Sequence, residues 1–113
     1  MGLSQLAKQL SAWETRRMEC LGVDIKIKRL SLSELQEVER LTEECSIGNG
    51  QNRHVGNLPK LVWTLVKRYV VDAEGNPLGG EDSVDDAKEW PASMVTELTK
   101  HFGEVNGTAN VPN

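Results

Sequence analysis

The sequence predicts an α+β fold: a mostly helical small domain with a short N-terminal β-hairpin and a tight turn between helices. Three observations carry this. Val23, Ile25 and Ile27 alternate with Asp24, Lys26 and Lys28, the period of a half-buried strand. Ser31 and Glu34 form an S-x-x-E capping box directly after that strand, so a helix starts there. Residues 58–71, LPKLVWTLVKRYVV, are the most apolar part of the chain and run into the turn VVDAEGNPL.

The elements follow in order. Leu3, Leu6, Leu10 and Trp13 recur at helical spacing, predicting a short amphipathic helix over 3–13. Within residues 1–14 that helix is either free to move or docked on a partner. Arg17 to Leu21 pair with the Val23 strand, with Gly22 at the bend. Leu30 and Leu35 staple the helix that Ser31 caps, and Leu35, Val38 and Leu41 continue it to about Glu44. Residues 46–57, SIGNGQNRHVGN, read as a polar loop. Pro59 suits the first turn of a core helix whose face is Leu58, Leu61, Val62, Leu65, Val66 and Tyr69. Its β-branched content also fits a strand, but its length and charge period favour a helix.

Asp72 and Gly75 stand at the first and last positions of a type I turn, with Asn76 and Pro77 following. Val70-Val71 and Pro77-Leu78 are the arms of a tiny hairpin, and Pro77, lacking an N–H, stays at an edge. Asp82 or Ser83 caps a short helix holding Val84, Ala87 and Trp90. Pro91 restarts the chain into a last helix with Val95, Leu98, Phe102 and Val105 on one face, stopped by Gly107. Residues 1–107 make one domain, and 108–113 are a disordered tail.

Charge and composition narrow the function. The chain has 113 residues and a net charge of -4. Residues 1–68 carry 11 basic and 8 acidic groups, net +3; residues 69–113 carry 2 and 9, net -7. This is no nucleic-acid or membrane footprint. The acidic half is either a solvated face or an aid to head-to-tail association or to a basic partner. Cys20 and Cys45 are the only cysteines, expected as free thiols in a reducing compartment. Neither an apolar leader segment nor a membrane-length apolar run is visible.

Motifs for chemistry are weak. Asp72, Glu74 and Asn76 echo a calcium loop, but its sixth and twelfth positions hold Pro77 and Ser83. Cys20, Cys45, His54 and His101 match no zinc spacing. IGNGQNRHVG lacks the Lys-Ser/Thr that closes a phosphate loop, and no G-x-S-x-G occurs. The last helix, with Lys100 against Glu97 and Glu104, is a poor recognition helix for DNA. The expectation is therefore no catalytic residue, no metal and no cofactor. Apolar surface remains: Leu3, Leu6, Leu10, Trp13, and the edges around Trp63 and Tyr69. Trp90 reads as core.

An ordered set of segments resembles a known family. VDIKIKRLS feeds a capped helix; LVKRYVV leads into VVDAEGNPL; EDSVDDAKEWP and MVTELTKHFGEVNG follow. Together they span residues 23–107 and resemble the bacteriophage tail assembly chaperones of long-tailed phages, encoded just upstream of the tape-measure protein. One departure is Gly79-Gly80, where that group carries an aromatic residue before the acidic helix. The resemblance implies a non-enzymatic late protein of virion morphogenesis. It would bind the tape-measure protein in the host bacterial cytoplasm, keep it soluble and help recruit the major tail-tube protein. It would be absent from the mature virion. A frameshifted longer form of itself and a homo-oligomer are further partners of that family, with no nucleic acid and no membrane. The rival readings are a structural tail or neck component and a small DNA-binding regulator.

Overall fold

A computed structural model describes residues 2–48 and 54–107. The order is α1 (Leu3–Ala7), β1 (Trp13–Met18), β2 (Val23–Lys28), α2 (Leu32–Glu44), β3 (Ser46–Ile47), β4 (His54–Val55), α3 (Leu58–Tyr69), β5 (Val70–Asp72), α4 (Val84–Ala87) and α5 (Ala92–Asn106). The result is an α+β domain with a three-stranded open sheet and, among the described residues, five helices.

This corrects the predicted fold. The chain opens on a helix rather than a hairpin, and the hairpin strands belong to a larger sheet of order β1-β2-β5. β1 and β2 pair antiparallel from Trp13↔Lys28 to Met18↔Val23. Gly22 makes the bend at φ 67°, where the lack of a Cβ removes the strain. The partner strand starts at Trp13, four residues earlier than expected. β5 then adds to the other edge of β2, Ile27 opposite Val70. The helix ends at Tyr69, the last residue of its predicted face, and Val70, in extended backbone at φ -129°, turns into the sheet. Val70-Val71, expected only as an arm of a local hairpin, also pair with β2.

One face of the sheet is buried. Met18, Ile25, Ile27 and Val70 are its most deeply buried side chains. Val62, Val66 and Tyr69 of α3 and Leu98, Phe102 and Val105 of α5 close over them in one cluster. Tyr69 and Phe102 meet with ring centroids 6.2 Å apart. Burying each such side chain stabilises the fold by about 1.5–3 kcal/mol before entropy is counted. A smaller cluster of Leu41, Cys45 and Leu61 joins α2 to α3.

Local signals place the helices. Ser31 Oγ accepts from Glu34 N–H at 3.2 Å, and Glu34 returns a bond from Ser31 N–H at 3.0 Å, so the capping box is formed. Of the two cap candidates for α4, the structure uses Ser83, reciprocally with Asp86. α3 has a further cap that the sequence reading missed: Asn57 Oδ1 accepts from Lys60 N–H. Gly107, at φ 72°, stops α5.

Two other expectations change. The helix over 3–13 is cut to Leu3–Ala7. Ser11 Oγ bonds the Trp13 carbonyl at 2.6 Å, and Arg29 N–H donates to Ala12 O at 2.8 Å, which ties the chain into the sheet. Within the 46–57 loop, β3 and β4 pair antiparallel, Ser46 opposite Val55. The expected tail over 108–113 lies outside the described residues.

Candidate functional site

The residues expected to meet a partner have different fates. Leu3, Leu6 and Leu10 are exposed, Leu3 at 82 %. α1 buries nothing. Trp13 is not on that helix; it begins β1, half-buried, on the open face of the sheet. Trp63 is half-buried and occupied within the chain. Its Nε1 donates to Asp82 O at 2.8 Å, and Lys67 Nζ lies 5.5 Å from the ring centre. Tyr69 is core, 6 % exposed, so it offers no surface.

The Asp72 turn is structural. Gly75 N–H donates to Asp72 O at 3.0 Å, and Gly75 takes φ 91°. Asp72 Oδ1 accepts from the N–H groups of Asn76 and Glu74, both at 2.9 Å. Those amides, Asn76 first, hold its carboxyl below the usual range. Val71 bridges Pro77, giving the short arms expected.

Gly79-Gly80 has a local reason. A Cβ on Gly79 would come 2.9 Å from Lys67 Cδ. Lys67 Nζ donates to Gly80 O at 2.7 Å. The backbone thus passes close beneath α3, and Lys67 and Trp63 anchor the segment.

This positioning leaves an apolar groove of about 280 Å³. The β1–β2 turn supplies Met18, Leu21 and Val23; the Gly79 segment supplies Leu78; Trp90 and Met94 form the opposite wall. Leu21, Val23 and Leu78 are exposed on its rim, at 50 %, 45 % and 39 %. Asp82 is the charged residue at its edge. Trp90 also borders a second hollow of about 220 Å³, with Leu58, Pro59, Val62 and Val95. The reading of Trp90 as core is thus half the picture: it packs on the core and walls both hollows. Leu21, Val23 and Leu78 are apolar residues beside turns, far apart in the sequence, and only the fold brings them together.

The turn that walls the groove is held from behind. Glu97 of α5 accepts from the N–H groups of Glu19 at 2.6 Å and Cys20 at 3.0 Å. His101 Nε2 lies 3.2 Å from the same carboxylate. The Cys20 thiol, then the Cys20 and Glu19 amides, then His101 hold the Glu97 carboxyl down at about 2. The same carboxylate pushes the Cys20 thiol up. Cysteine, histidine and carboxylate do meet here, but a raised thiol is a poor nucleophile. The carboxylate is committed to backbone amides. The arrangement is a clamp on the hairpin turn.

A second clamp closes the other end. Asn106 Oδ1 accepts from Leu30 N–H at 2.7 Å, and its Nδ2 donates to Lys28 O at 3.2 Å. Nothing in the sequence marks Asn106 for this role. Cys45 is buried and Cys20 exposed, both as free thiols. Among the described residues no group of three or more His, Cys, Asp or Glu is placed to hold a metal ion. Nor is any helix among them long and apolar enough to cross a membrane.

Comparison with protein-family models, with curated proteins and with solved structures finds no match for this chain.

Proposed function

We propose that this protein is a non-enzymatic assembly chaperone that covers an apolar helical segment of a client. The observation that carries this is the uncovered apolar surface around Trp90. Exposed rim residues of this kind mark protein contacts when they are contiguous. An amphipathic client helix laid in such a groove gains roughly 25 cal/mol for each Å² of apolar area covered, less its ordering cost.

The resemblance over residues 23–107 names the client as a phage tape-measure protein, a long helical chain prone to aggregate. Binding would keep it soluble until tail-tube subunits assemble around it, in the cytoplasm of the bacterial host. The chaperone would then leave the finished particle.

Co-expression with the tape-measure protein encoded beside it is the test. The expected result is a soluble client that co-purifies with this protein, and loss of co-purification in Leu78→Ser/Met94→Ser with the fold intact. An insoluble client recovered alone contradicts the proposal. Recovery of this protein in purified particles would favour a structural tail or neck component.

A further inference from the structure

The two edges of the three-stranded sheet end differently. β5 is one edge, and the turn after it takes its outward groups. Asp72 N–H donates to Asn76 O at 2.8 Å, and Leu78 N–H to Val70 O at 3.4 Å. Val71 also bridges Pro77, which has no N–H to offer a further strand.

β1 is the other edge. Arg29 N–H donates to Ala12 O at 2.8 Å, so Ala12 and Arg29 form a hydrogen-bonded pair. Such pairs alternate along an antiparallel ladder, so Glu14, Arg16 and Met18 bond to β2. Trp13, Thr15 and Arg17 therefore turn their N–H and C=O groups outward. The ends of this row are capped. Ser11 Oγ donates to Trp13 O at 2.6 Å and accepts from Trp13 N–H at 3.4 Å. Just past β1, Glu97 accepts from Glu19 N–H at 2.6 Å. Between the caps, no hydrogen bond among the described residues reaches the N–H and C=O groups of Thr15 and Arg17. Both residues are exposed. An edge with unpaired backbone groups is a template for another strand.

Charge selects the occupant. Residues directly opposite each other in a ladder share a face. A strand added opposite Thr15 and Arg17 thus places alternate side chains on the open face. That face carries Arg17, Lys26 and Lys28 against Asp24. Asp24 lies 3.3 Å from Arg17, and Glu34 holds Lys28. Lys26 has no ion pair among the described residues. A hollow of about 430 Å³ over Trp13, Thr15, Lys26 and Val71 leaves room for incoming side chains. We propose that β1 receives an extended acidic peptide of a partner protein as a fourth strand. Thr15 and Arg17 exchange backbone hydrogen bonds with two of its residues, and Lys26 and Arg17 meet carboxylates placed two residues apart. This contact is separate from the Trp90 groove and does not depend on what fills that groove.

Amide NMR of the full chain with the peptide acetyl-Thr-Glu-Val-Glu-Thr-amide tests it. The Thr15 and Arg17 signals should move and become protected from exchange. The same peptide with both Glu replaced by Lys should bind roughly tenfold more weakly, and Lys26→Glu should remove that preference. Thr15→Pro deletes an N–H that the β1–β2 ladder does not use, in a position where an edge strand tolerates proline. It should fold and lose binding. Unmoved Thr15 and Arg17 signals overturn the proposal, as do equal binding of the two peptides or full binding by Thr15→Pro. Movement of the same amides on concentrating the protein without peptide would give the edge to a second copy, and that overturns it too.

Discussion

The two ends of the β1–β2 ladder are built differently. The Lys28 end is closed by polar side chains: Asn106 on Leu30 and Lys28, Lys28 on Glu34 at 2.5 Å, Arg16 between Glu14 and Glu104, and Arg29 on Glu14. The Met18 end is clamped from behind by Glu97, but in front it exposes Leu21, Val23 and Leu78 around a groove. Both ends share the same core, so the open one is not left over from poor packing. Closed polar ends fix the fold, while apolar surface at a rigid end is available for a partner.

The largest effect should come from the shared core. Ile27→Ala, at 0 % exposure, is expected to cost about 2–5 kcal/mol by chemical denaturation. A loss near zero would mean that the sheet and its helices do not pack as described. Next is the closed end. Asn106→Ala strands the Leu30 amide and is expected to cost about 1–3 kcal/mol. The surrounding ion pairs are partly exposed and contribute about 0–1 kcal/mol each, so Arg16→Ala, which breaks two of them, should cost no more than about 2 kcal/mol.

The clamp at the open end should show itself in pH. Glu97 has a folded pKa near 2 against an ordinary 4.5, so its contribution is present above about pH 4.5 and is lost as pH falls through about 2. Glu97→Gln should therefore be less stable than wild type at neutral pH, with the gap closing as pH drops towards 2. A gap that is constant with pH would remove the carboxylate from that role. The smallest effect on stability belongs to α1. Leu3→Ser/Leu6→Ser should change stability by no more than about 0.5 kcal/mol by chemical denaturation, since α1 buries none of its residues.

What could be read from the sequence follows the same divide. Signals within one turn were legible: the Ser31–Glu34 box, Pro59 in a first turn, Gly75 and Gly107 at positive φ, and the apolar face of α5. Contacts between distant segments were not. Val70 and Val71 read as an arm of a local hairpin with Pro77-Leu78, and nothing in that stretch announces their pairing with β2. Tyr69 continues the α3 stripe, whose outer edge the sequence offers as surface, but the stripe faces the core. Trp13 matched the spacing of Leu3, Leu6 and Leu10, yet Arg29 and Ser11 draw it into a strand. Glu97 and Asn106 act through single polar bonds to distant amides, which leave no periodic trace. The groove needs three turns brought together, so no one stretch announces it.

The most direct measurement is hydrogen exchange of the protein alone and with a soluble segment of the proposed client, a tape-measure protein. The account predicts that bound client slows exchange in the Glu19–Val23 turn and in residues 78–94, while Lys28, Leu30 and the end of α5 stay unchanged. Protection centred on the Lys28 end, or spread evenly over the open sheet face, would contradict it.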